Sequence, residues 1–186
     1  SRLLPARVIP FSKALQSTDF DQWVVFYEHD SQFVRLWNNP RKYINILRKY
    51  KGVVTPDFSL YRNMPLVMQK WSTYQGKAIG VWLQNKGVEV IPNVRFADER
   101  SYSFCFDGVE KRSTVAIGTH GCIKKLTDRA YFEKGLAEMV KRLQPQTIIV
   151  YGAAPDYMFG KYKAMGIRII QFDSAFSAAH KKAVND

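Results

Sequence analysis

Polar and acidic side chains follow several apolar runs of this chain at the point where each run ends. In GVVTPDFSLYRNMP, residues 52–65, the run Gly-Val-Val gives way within a few residues to Asp57 and Ser59. If such runs are parallel strands, their carboxyl ends meet at one edge of a sheet, where loops and helix N-termini converge. We therefore expect one rim to gather the candidate catalytic residues Glu28, Asp30, Asp57, His120 and Asp173, with Asn93 beside them.

Two kinds of role fit these carboxylates. Several carboxylates at one rim repel one another unless a divalent cation or basic side chains offset their charge. A Mg²⁺ ion there would orient a phosphate substrate and activate water, as in a metal-dependent hydrolase or nuclease. The alternative role is structural, because Asp and Asn side chains commonly cap helices and turns by accepting backbone N–H hydrogen bonds. Both interpretations of Asp57 stay open at this point.

The histidines and one cysteine add weaker signals. In FYEHD, Glu28 and Asp30 alternate with His29, so that in an extended chain both carboxylates would share one face. In IGTHGC, His120 lies in a turn whose backbone N–H groups could form an anion nest. Cys122 follows that turn and is either a Cys–His nucleophile or a buried, inert thiol. The sequence contains no P-loop, nucleophile elbow or HExxH motif.

The charge of the chain favours anionic partners. Twenty-eight Lys and Arg against 16 Asp and Glu give a formal charge of +12, with a pI near 9.7, and a pI above about 9 is typical of nucleic-acid-binding domains. The candidate nucleic-acid-binding residues lie on or near two predicted helices and are Arg41, Lys42, Arg48, Lys49, Lys51, Lys124, Lys125 and Arg129. Trp71, Tyr74 and Trp82 could stack on bases, but their spacing and size favour the core.

Four junctions indicate the fold class. In each, a helix-like segment ends at Gly or Pro and a β-rich run follows, as in VKRLQP/QTIIVYG. The apolar runs are continuous rather than alternating, which is typical of parallel strands buried on both faces. We predict a single α/β domain, residues 1–186, with a predominantly parallel sheet of about six strands covered by helices. It is either an open doubly wound sheet or a reduced barrel, with short loose segments at 1–10 and 177–186.

Particular elements follow from local signals. The strands around Val53, Val90, Val115, Ile149 and Ile169 are expected at the centre of one sheet. Asn39 is the predicted N-cap of a helix that has Pro40 in its first turn. Thr127 or Asp128 is the predicted cap of a later helix. The segment 65–86 is predicted to be helical, with a break at Gly76 or Gly80, and RSYSFCFDGV is expected to be extended.

Composition favours a cytoplasmic protein with no membrane segment. The two cysteines, Cys105 and Cys122, form no CxxC pair, so the sequence favours a reducing compartment over a disulfide framework. No apolar run approaches the ~20 residues that a membrane helix needs.

Four long strings of the chain resemble one family. They are GVVTPDFSLYRNMP, WLQNKGVEVIPNVRF, SFCFDG and KGLAEMVKRLQPQTIIVYG, which run through the middle of the chain. These strings resemble a family of uncharacterised proteins from phages and mobile elements, catalogued as domain of unknown function four-four-one-seven. The family pattern has a tryptophan where this chain has Phe96. The resemblance implies a phage or mobile-element origin and implies no reaction.

Three functional interpretations follow, and the sequence leaves open whether the protein is an enzyme. The first is a phage or mobile-element protein that contacts nucleic acid through basic helical faces. The second is a metal-dependent hydrolase or nuclease that uses the carboxylate rim and Mg²⁺. The third is a phage-encoded inhibitor or interaction protein that binds an acidic host protein.

Overall fold

The structure, a computed structural model, describes residues 4–175 of the chain. Strands and helices alternate along these residues. In chain order they are β1 (Val8–Pro10), α1 (Phe11–Ala14), β2 (Trp23–Val25), α2 (Asp30–Asn38), α3 (Pro40–Leu47), β3 (Gly52–Val54), α4 (Leu66–Asn85), β4 (Val90–Ile91), a 3₁₀ helix (Glu99–Ser103), β5 (Thr114–Gly118), α5 (Leu126–Leu143), β6 (Thr147–Tyr151), α6 (Asp156–Ala164) and β7 (Arg168–Phe172).

The described residues form two compact units. The first unit comprises the chain up to Ser59 together with Trp71–Asn93. The second unit comprises Leu60–Lys70 and the chain from Val94 onward. Each unit contains one parallel sheet.

Strands β1 to β4 form the sheet of the first unit, in sequential order. Their register aligns Ile9, Val24, Val53 and Val90 in one row across the sheet. This row belongs to a buried core that also contains apolar residues of all four helices, namely Phe11, Phe33, Leu36, Tyr43, Leu47, Ile79 and Leu83. On the alternate strand positions, which face the other side of the sheet, Val25, Val54 and Ile91 are also buried.

Strands β5, β6 and β7 form the sheet of the second unit, again in sequential order. Val115, Ile148 and Ile169 pair across the three strands. They pack with the apolar faces of α5 and α6, which contribute Phe132, Leu136, Met139, Val140, Leu143, Met158, Phe159 and Tyr162. The alternate positions Ala116 and Ile149 are buried as well.

The α/β class and the parallel pairing of the strands are confirmed. The runs of β2 to β6 are buried on both faces, whereas β7 is exposed or partly exposed along its length. The five central segments, however, are divided between two sheets instead of lying in one. The paired register of β3 and β4 ends at Val54 and Ile91, and the Val94 backbone N–H donates to the carbonyl oxygen of Ala116 in β5 at 2.8 Å. Because strand order is sequential in each sheet, neither sheet has the reversal of order that defines a doubly wound sheet.

Helix α4 is continuous from Leu66 to Asn85, so the predicted break at Gly76 or Gly80 is wrong. Both glycines face close neighbours in the first unit. A Cβ at Gly76 would lie 2.8 Å from the carbonyl oxygen of Pro56, and one at Gly80 would lie 2.7 Å from Cγ2 of Thr55. The glycines therefore let α4 approach the segment that follows β3.

Helix boundaries agree with the sequence signals in part. Asn39 is the N-cap of α3, as predicted, and Pro40 occupies its first turn. The predicted cap of α5 at Thr127 or Asp128 is wrong, because α5 begins at Leu126. Asp128 lies in the first turn, where its carboxylate accepts a hydrogen bond from Arg62.

Two terminal or loop segments also differ from expectation. Residues 8–10, placed by the sequence in a loose end, form β1, and the neighbouring Arg7 pairs with Asp19 at 2.7 Å. The other predicted loose segment, 177–186, lies outside the described residues. Part of RSYSFCFDGV is 3₁₀-helical instead of extended, because the Asp98 side chain caps the turn by accepting from the Arg100 N–H. No helix within residues 4–175 has the length and hydropathy needed to cross a membrane.

Candidate functional site

Asp57 belongs to a hydrogen-bonded chain at the carboxyl ends of β2, β3 and β4 in the first unit. Asn93 Nδ2 donates to Asp57 Oδ1 at 2.8 Å, and Tyr27 OH donates to Asn93 Oδ1 at 2.8 Å. The Asn93 backbone N–H donates to Thr55 Oγ1 at 2.8 Å, and Thr55 is buried. Since α4 begins only at Leu66, Asp57 is not a helix cap. It is a half-buried carboxylate held in place by residues from neighbouring strand ends.

This arrangement is what a carboxylate needs if it is to act as a general base or to bind a cation. The carboxylate must be held in a fixed position, because a general base or a metal ligand has to lie within hydrogen-bond or coordination distance of its target. The side-chain amide of Asn93 donates an N–H to Asp57, and its oxygen accepts from the Tyr27 hydroxyl. These two hydrogen bonds set the orientation of the amide.

The other two carboxylates that were predicted for the rim and lie in the first unit, Glu28 and Asp30, accept hydrogen bonds from serines distant in sequence. Glu28 accepts from the backbone N–H of Ser12 at 3.1 Å and from the Ser12 hydroxyl. Asp30 accepts from the backbone N–H of Ser59 at 3.1 Å and from its hydroxyl at 3.0 Å. Asp30 also starts α2, so the extended alternation expected for FYEHD is wrong. Each of these carboxylates holds a helix start or a loop in place.

His120 and Asp173 lie at strand ends of the second unit. His120 is exposed and follows Thr119 at the end of β5, and Asp173 is exposed after β7. The Thr119 hydroxyl donates to the carbonyl oxygen of Ala153 at 2.7 Å, which joins the loops that follow β5 and β6. Cys122 is partly buried, and its thiol donates to the backbone oxygen of His120 at 3.7 Å.

The structure therefore brings together some of the predicted rim residues. It joins Asp57 to Asn93 and Asp30 to Ser59, whereas Glu28 contacts Ser12, which the sequence did not single out. Convergence of the first-unit carboxylates with His120 and Asp173 stays a prediction. Among residues 4–175, no group of three or more His, Cys, Asp or Glu side chains is placed to hold a metal ion.

Sequence reasoning named Arg129 but missed three arginine–tyrosine pairs in the second unit. The Arg62 guanidinium lies 4.1 Å from the centre of the Tyr131 ring. Arg95 lies 5.3 Å from the ring of Tyr61, and Arg129 lies 5.1 Å from the ring of Tyr157. We call this the Arg–Tyr surface, defined by Tyr61, Arg62, Arg95, Arg129, Tyr131 and Tyr157. Its three tyrosines are all exposed.

Ion pairs and hydrogen bonds fix this surface. Arg62 Nη2 binds Asp128 Oδ1 at 2.6 Å, and the carbonyl oxygen of Arg62 accepts from Arg100 Nη2 at 2.7 Å. Arg100 also pairs with Asp98, and this hydrogen bond holds the pKa of the Asp98 carboxyl below its usual range. Arg129 donates to the carbonyl oxygen of Ile123 at 3.2 Å.

The predicted nucleic-acid-binding residues are all at least partly exposed. In the first unit, Arg41 and Lys42 lie in the first turn of α3. Arg48 donates to the carbonyl oxygen of Lys86 at 3.1 Å, and Lys49 lies over the ring of Phe20. The remaining first-unit residue, Lys51, pairs with Asp21 at 3.5 Å. In the second unit, Lys124 and Lys125 precede α5 and Arg129 lies in its first turns.

The expectation that Trp71 and Tyr74 belong to the core is wrong. Trp71 is 46% exposed and Tyr74 is 58% exposed, while Trp82 is partly buried against the core. The Trp71 and Tyr74 rings are stacked, with centres 5.6 Å apart and an interplanar angle of 25°. Trp37 of α2 meets both rings edge-on, at 5.5 Å and 6.2 Å. We call Trp37, Trp71 and Tyr74 the aromatic platform of the first unit.

Comparison with known proteins gives the family of this chain. The profile of the family described as domain of unknown function (DUF4417) matches residues 1–173. The Gene 1 protein of Mycobacterium phage L5 is 37% identical over 127 residues, which cover 68% of this chain and 56% of that protein. The Gene 1 protein of Mycobacterium phage D29 is 35% identical over 127 residues, which cover 68% of this chain and 47% of that protein.

The chain thus spans about half the length of these curated relatives. No solved structure gives a significant match. The resemblance read from the sequence is confirmed: the chain belongs to the DUF4417 family, and the two relatives named above are proteins of mycobacteriophages.

Proposed function

We propose that this protein is a phage protein that contacts nucleic acid through the basic faces of its helices. The observation that carries the proposal is the separation of charge in the first unit. Helices α3 and α4 contain no acidic residue. The single acidic residue of α2 is Asp30. Asp30 is held by Ser59, so its charge is engaged inside the unit.

The same helices and their ends carry many cations. Between residues 31 and 88 the one acidic residue is Asp57, against the basic residues Arg35, Arg41, Lys42, Arg48, Lys49, Lys51, Arg62, Lys70, Lys77 and Lys86. Most of those in the first unit are exposed. A surface with one sign of charge attracts a polyanion and raises its rate of association. The Arg–Tyr surface of the second unit supports the same proposal, because guanidinium groups and aromatic faces both serve nucleic-acid contact.

Salt dependence tests the proposal directly. Each phosphate neutralised by Lys or Arg releases condensed counterions, so log affinity falls with log salt by about 0.9 per phosphate on duplex DNA or about 0.7 on single strands. Four to six contacts would give a slope of roughly −3 to −5. The measurement is the affinity for labelled DNA at a series of salt concentrations.

Removal of two cations from α3 shows which surface is used. The double variant Arg41→Gln/Lys42→Gln should flatten the slope by about one to two units. The matched control is Lys141→Gln/Arg168→Gln, which removes the same charge from exposed positions of the second unit. Equal flattening in both variants would mean that net charge matters and the α3 face does not. Absence of any salt-dependent association at low ionic strength would refute the proposal and favour an acidic host protein as the partner.

A metal-dependent nuclease is a second candidate, favoured by the held carboxylate of Asp57. The same titration with Mg²⁺ separates the two. A nuclease would shorten the labelled strand, and Asp57→Asn would abolish the cleavage while leaving the salt slope unchanged. An intact strand after incubation with Mg²⁺ would exclude this candidate for the DNA used.

A further inference from the structure

The two α4 rings of the aromatic platform, Trp71 and Tyr74, lie outside the buried core of the first unit. Trp71 and Tyr74 lie one helical turn apart on α4, and each exposes about half of its surface. The face of α4 that does pack in this unit is made by other residues, namely Gln75, Gly76, Ile79, Gly80 and Leu83. Tryptophan is usually well buried, so an exposed cluster of large aromatic rings marks a surface that binds something.

The geometry of the platform suits a flat ligand. Trp71 and Tyr74 have nearly parallel rings, while Trp37 stands edge-on to both and packs against them. Trp37 is more buried than the other two and belongs to the hydrophobic fringe of the core. Because Trp37 packs edge-on against Trp71 and Tyr74, these two rings lose little side-chain conformational freedom when a planar group stacks on them.

The charge around the platform indicates an anionic partner. Trp37 is on α2 and the other two rings are on α4, and these helices carry exposed or partly exposed cations such as Arg35 and Lys77. Apart from Asp30, which Ser59 engages, they carry no carboxylate. A planar group joined to negative charge describes a nucleotide. Duplex DNA keeps its bases stacked inside the helix, whereas a single strand offers them to aromatic side chains.

We propose that the aromatic platform binds single-stranded nucleic acid by stacking a base on Trp71 and Tyr74, with the cations of α2 to α4 holding the flanking phosphates. This inference rests on the proposed function, because it names the strand form that the basic faces serve. Stacking contributes affinity without neutralising a phosphate. The platform and the cations should therefore affect binding in different ways.

The test compares a labelled single strand with the duplex of the same sequence. Trp71→Ala should lower the affinity for the single strand about 5- to 150-fold, the range that loss of one stacked base produces. The slope of log affinity against log salt should not change, because no phosphate contact is removed. Affinity for the duplex should stay the same. Tyr74→Ala should act in the same direction, and Trp71→Phe, which keeps a ring, should recover most of the affinity.

The matched control is Val81→Ala, which removes exposed apolar surface from the same helix without removing a ring. It should bind like the unaltered protein. If Trp71→Ala and Tyr74→Ala both bind the single strand as well as the unaltered protein, the platform does not stack bases, although the proposed function stands. Equal losses on single strand and duplex also overturn the inference.

Two further outcomes identify other occupants of the platform. If Trp71→Ala converts a dimer into a monomer in sedimentation experiments and leaves binding unchanged, the platform joins two copies of the chain. If the unaltered protein binds neither strand form at low salt, both the inference and the proposed function fail. Urea unfolding of each variant confirms that a lost affinity is not a lost fold.

Discussion

Substitution of Gly76 by alanine tests the packing that positions the segment containing Asp57. A Cβ at this position would lie 2.8 Å from the carbonyl oxygen of Pro56, which is closer than real Cβ atoms approach. The obstacle is backbone, so no side-chain rotation relieves it. Either α4 or the Pro56–Asp57 peptide must move, and the Ser72 hydroxyl, which donates to the carbonyl oxygen of Ser59 at 2.7 Å, holds α4 to the same segment.

Two opposing terms set the size of the effect. Alanine in a helix is more favourable than glycine by about 1 kcal/mol. Overpacking of a well-packed site costs about 1–3 kcal/mol. The structure therefore predicts that Gly76→Ala lowers the free energy of unfolding by about 1 kcal/mol, where an unhindered helical glycine would show a gain.

Gly160 supplies the unhindered comparison. It lies inside α6, and the nearest atom to its added Cβ is Cβ of Asp156 at 3.9 Å. Gly160→Ala should raise the free energy of unfolding by about 0.5–1 kcal/mol. The assay is urea unfolding with the slope m compared between variants, because a shift in midpoint at constant m is a change in stability. Equal stabilisation by both substitutions would refute the close approach of α4 to Pro56.

Four further substitutions, at Asn93, Asp98, Tyr50 and Tyr102, test the hydrogen bonds of single side chains. Asn93→Ala should cost about 1–3 kcal/mol of stability in urea unfolding, because it removes a side chain that bonds to both its neighbours in a partly buried chain; a cost near zero would contradict the arrangement. Asp98→Asn should cost up to about 1 kcal/mol at neutral pH, because it removes the carboxylate charge that pairs with Arg100 while the amide oxygen can still cap the 3₁₀ helix. Arg100 lowers the pKa of Asp98 in the folded protein, so the carboxylate contributes its full stabilisation above the ordinary pKa of about 3.9 and loses it as the pH falls below that value. The free energies of unfolding of the variant and the unaltered protein should therefore converge in acid. Tyr50→Phe should destabilise by about 1 kcal/mol, because the buried hydroxyl donates to a carbonyl oxygen at 2.7 Å, whereas Tyr102→Phe should be neutral or stabilising, because the buried Tyr102 hydroxyl has no hydrogen-bond partner among the described residues; thermal unfolding in which the two tyrosines behave alike would contradict this difference.

Apolar runs and helix stops predicted most of the elements, because both signals are local. Every apolar run that was predicted to be a strand contains an observed strand, and the Gly or Pro residues that were predicted to stop helices follow observed helix ends. The pairing of strands was less accessible, since an apolar run does not indicate which neighbour it pairs with. No local signal in the sequence indicated that β4 and β5 belong to different sheets.

The sequence predicted where the candidate site lies, at the carboxyl ends of the strands, but it predicted few of the hydrogen bonds between its side chains. The carboxyl ends of parallel strands do carry Asp57 and Asn93, and the two side chains do meet. The serines that engage Glu28 and Asp30 lie 16 and 29 residues away in sequence, and no local pattern indicates such partners. The burial of Trp71 was mispredicted for a related reason. Its spacing places it on a helix face, but only the tertiary structure decides which face is covered.

Acidic and basic side chains have different uses in the first unit, and this difference bears on what the surface can bind. Glu28, Asp30 and Asp57 each accept hydrogen bonds from a neighbouring loop or strand end, so their charges serve the interior organisation of the unit. The cations of α2 and α3 include Arg41 and Lys42 in exposed first-turn positions. A polyanion that approaches these helices therefore meets positive charge with little opposing charge at the surface, and long-range attraction of this kind weakens as salt shortens the Debye length. Binding that survived unchanged in high salt would have to come from apolar contact, and in the first unit the aromatic platform is where such contact is available.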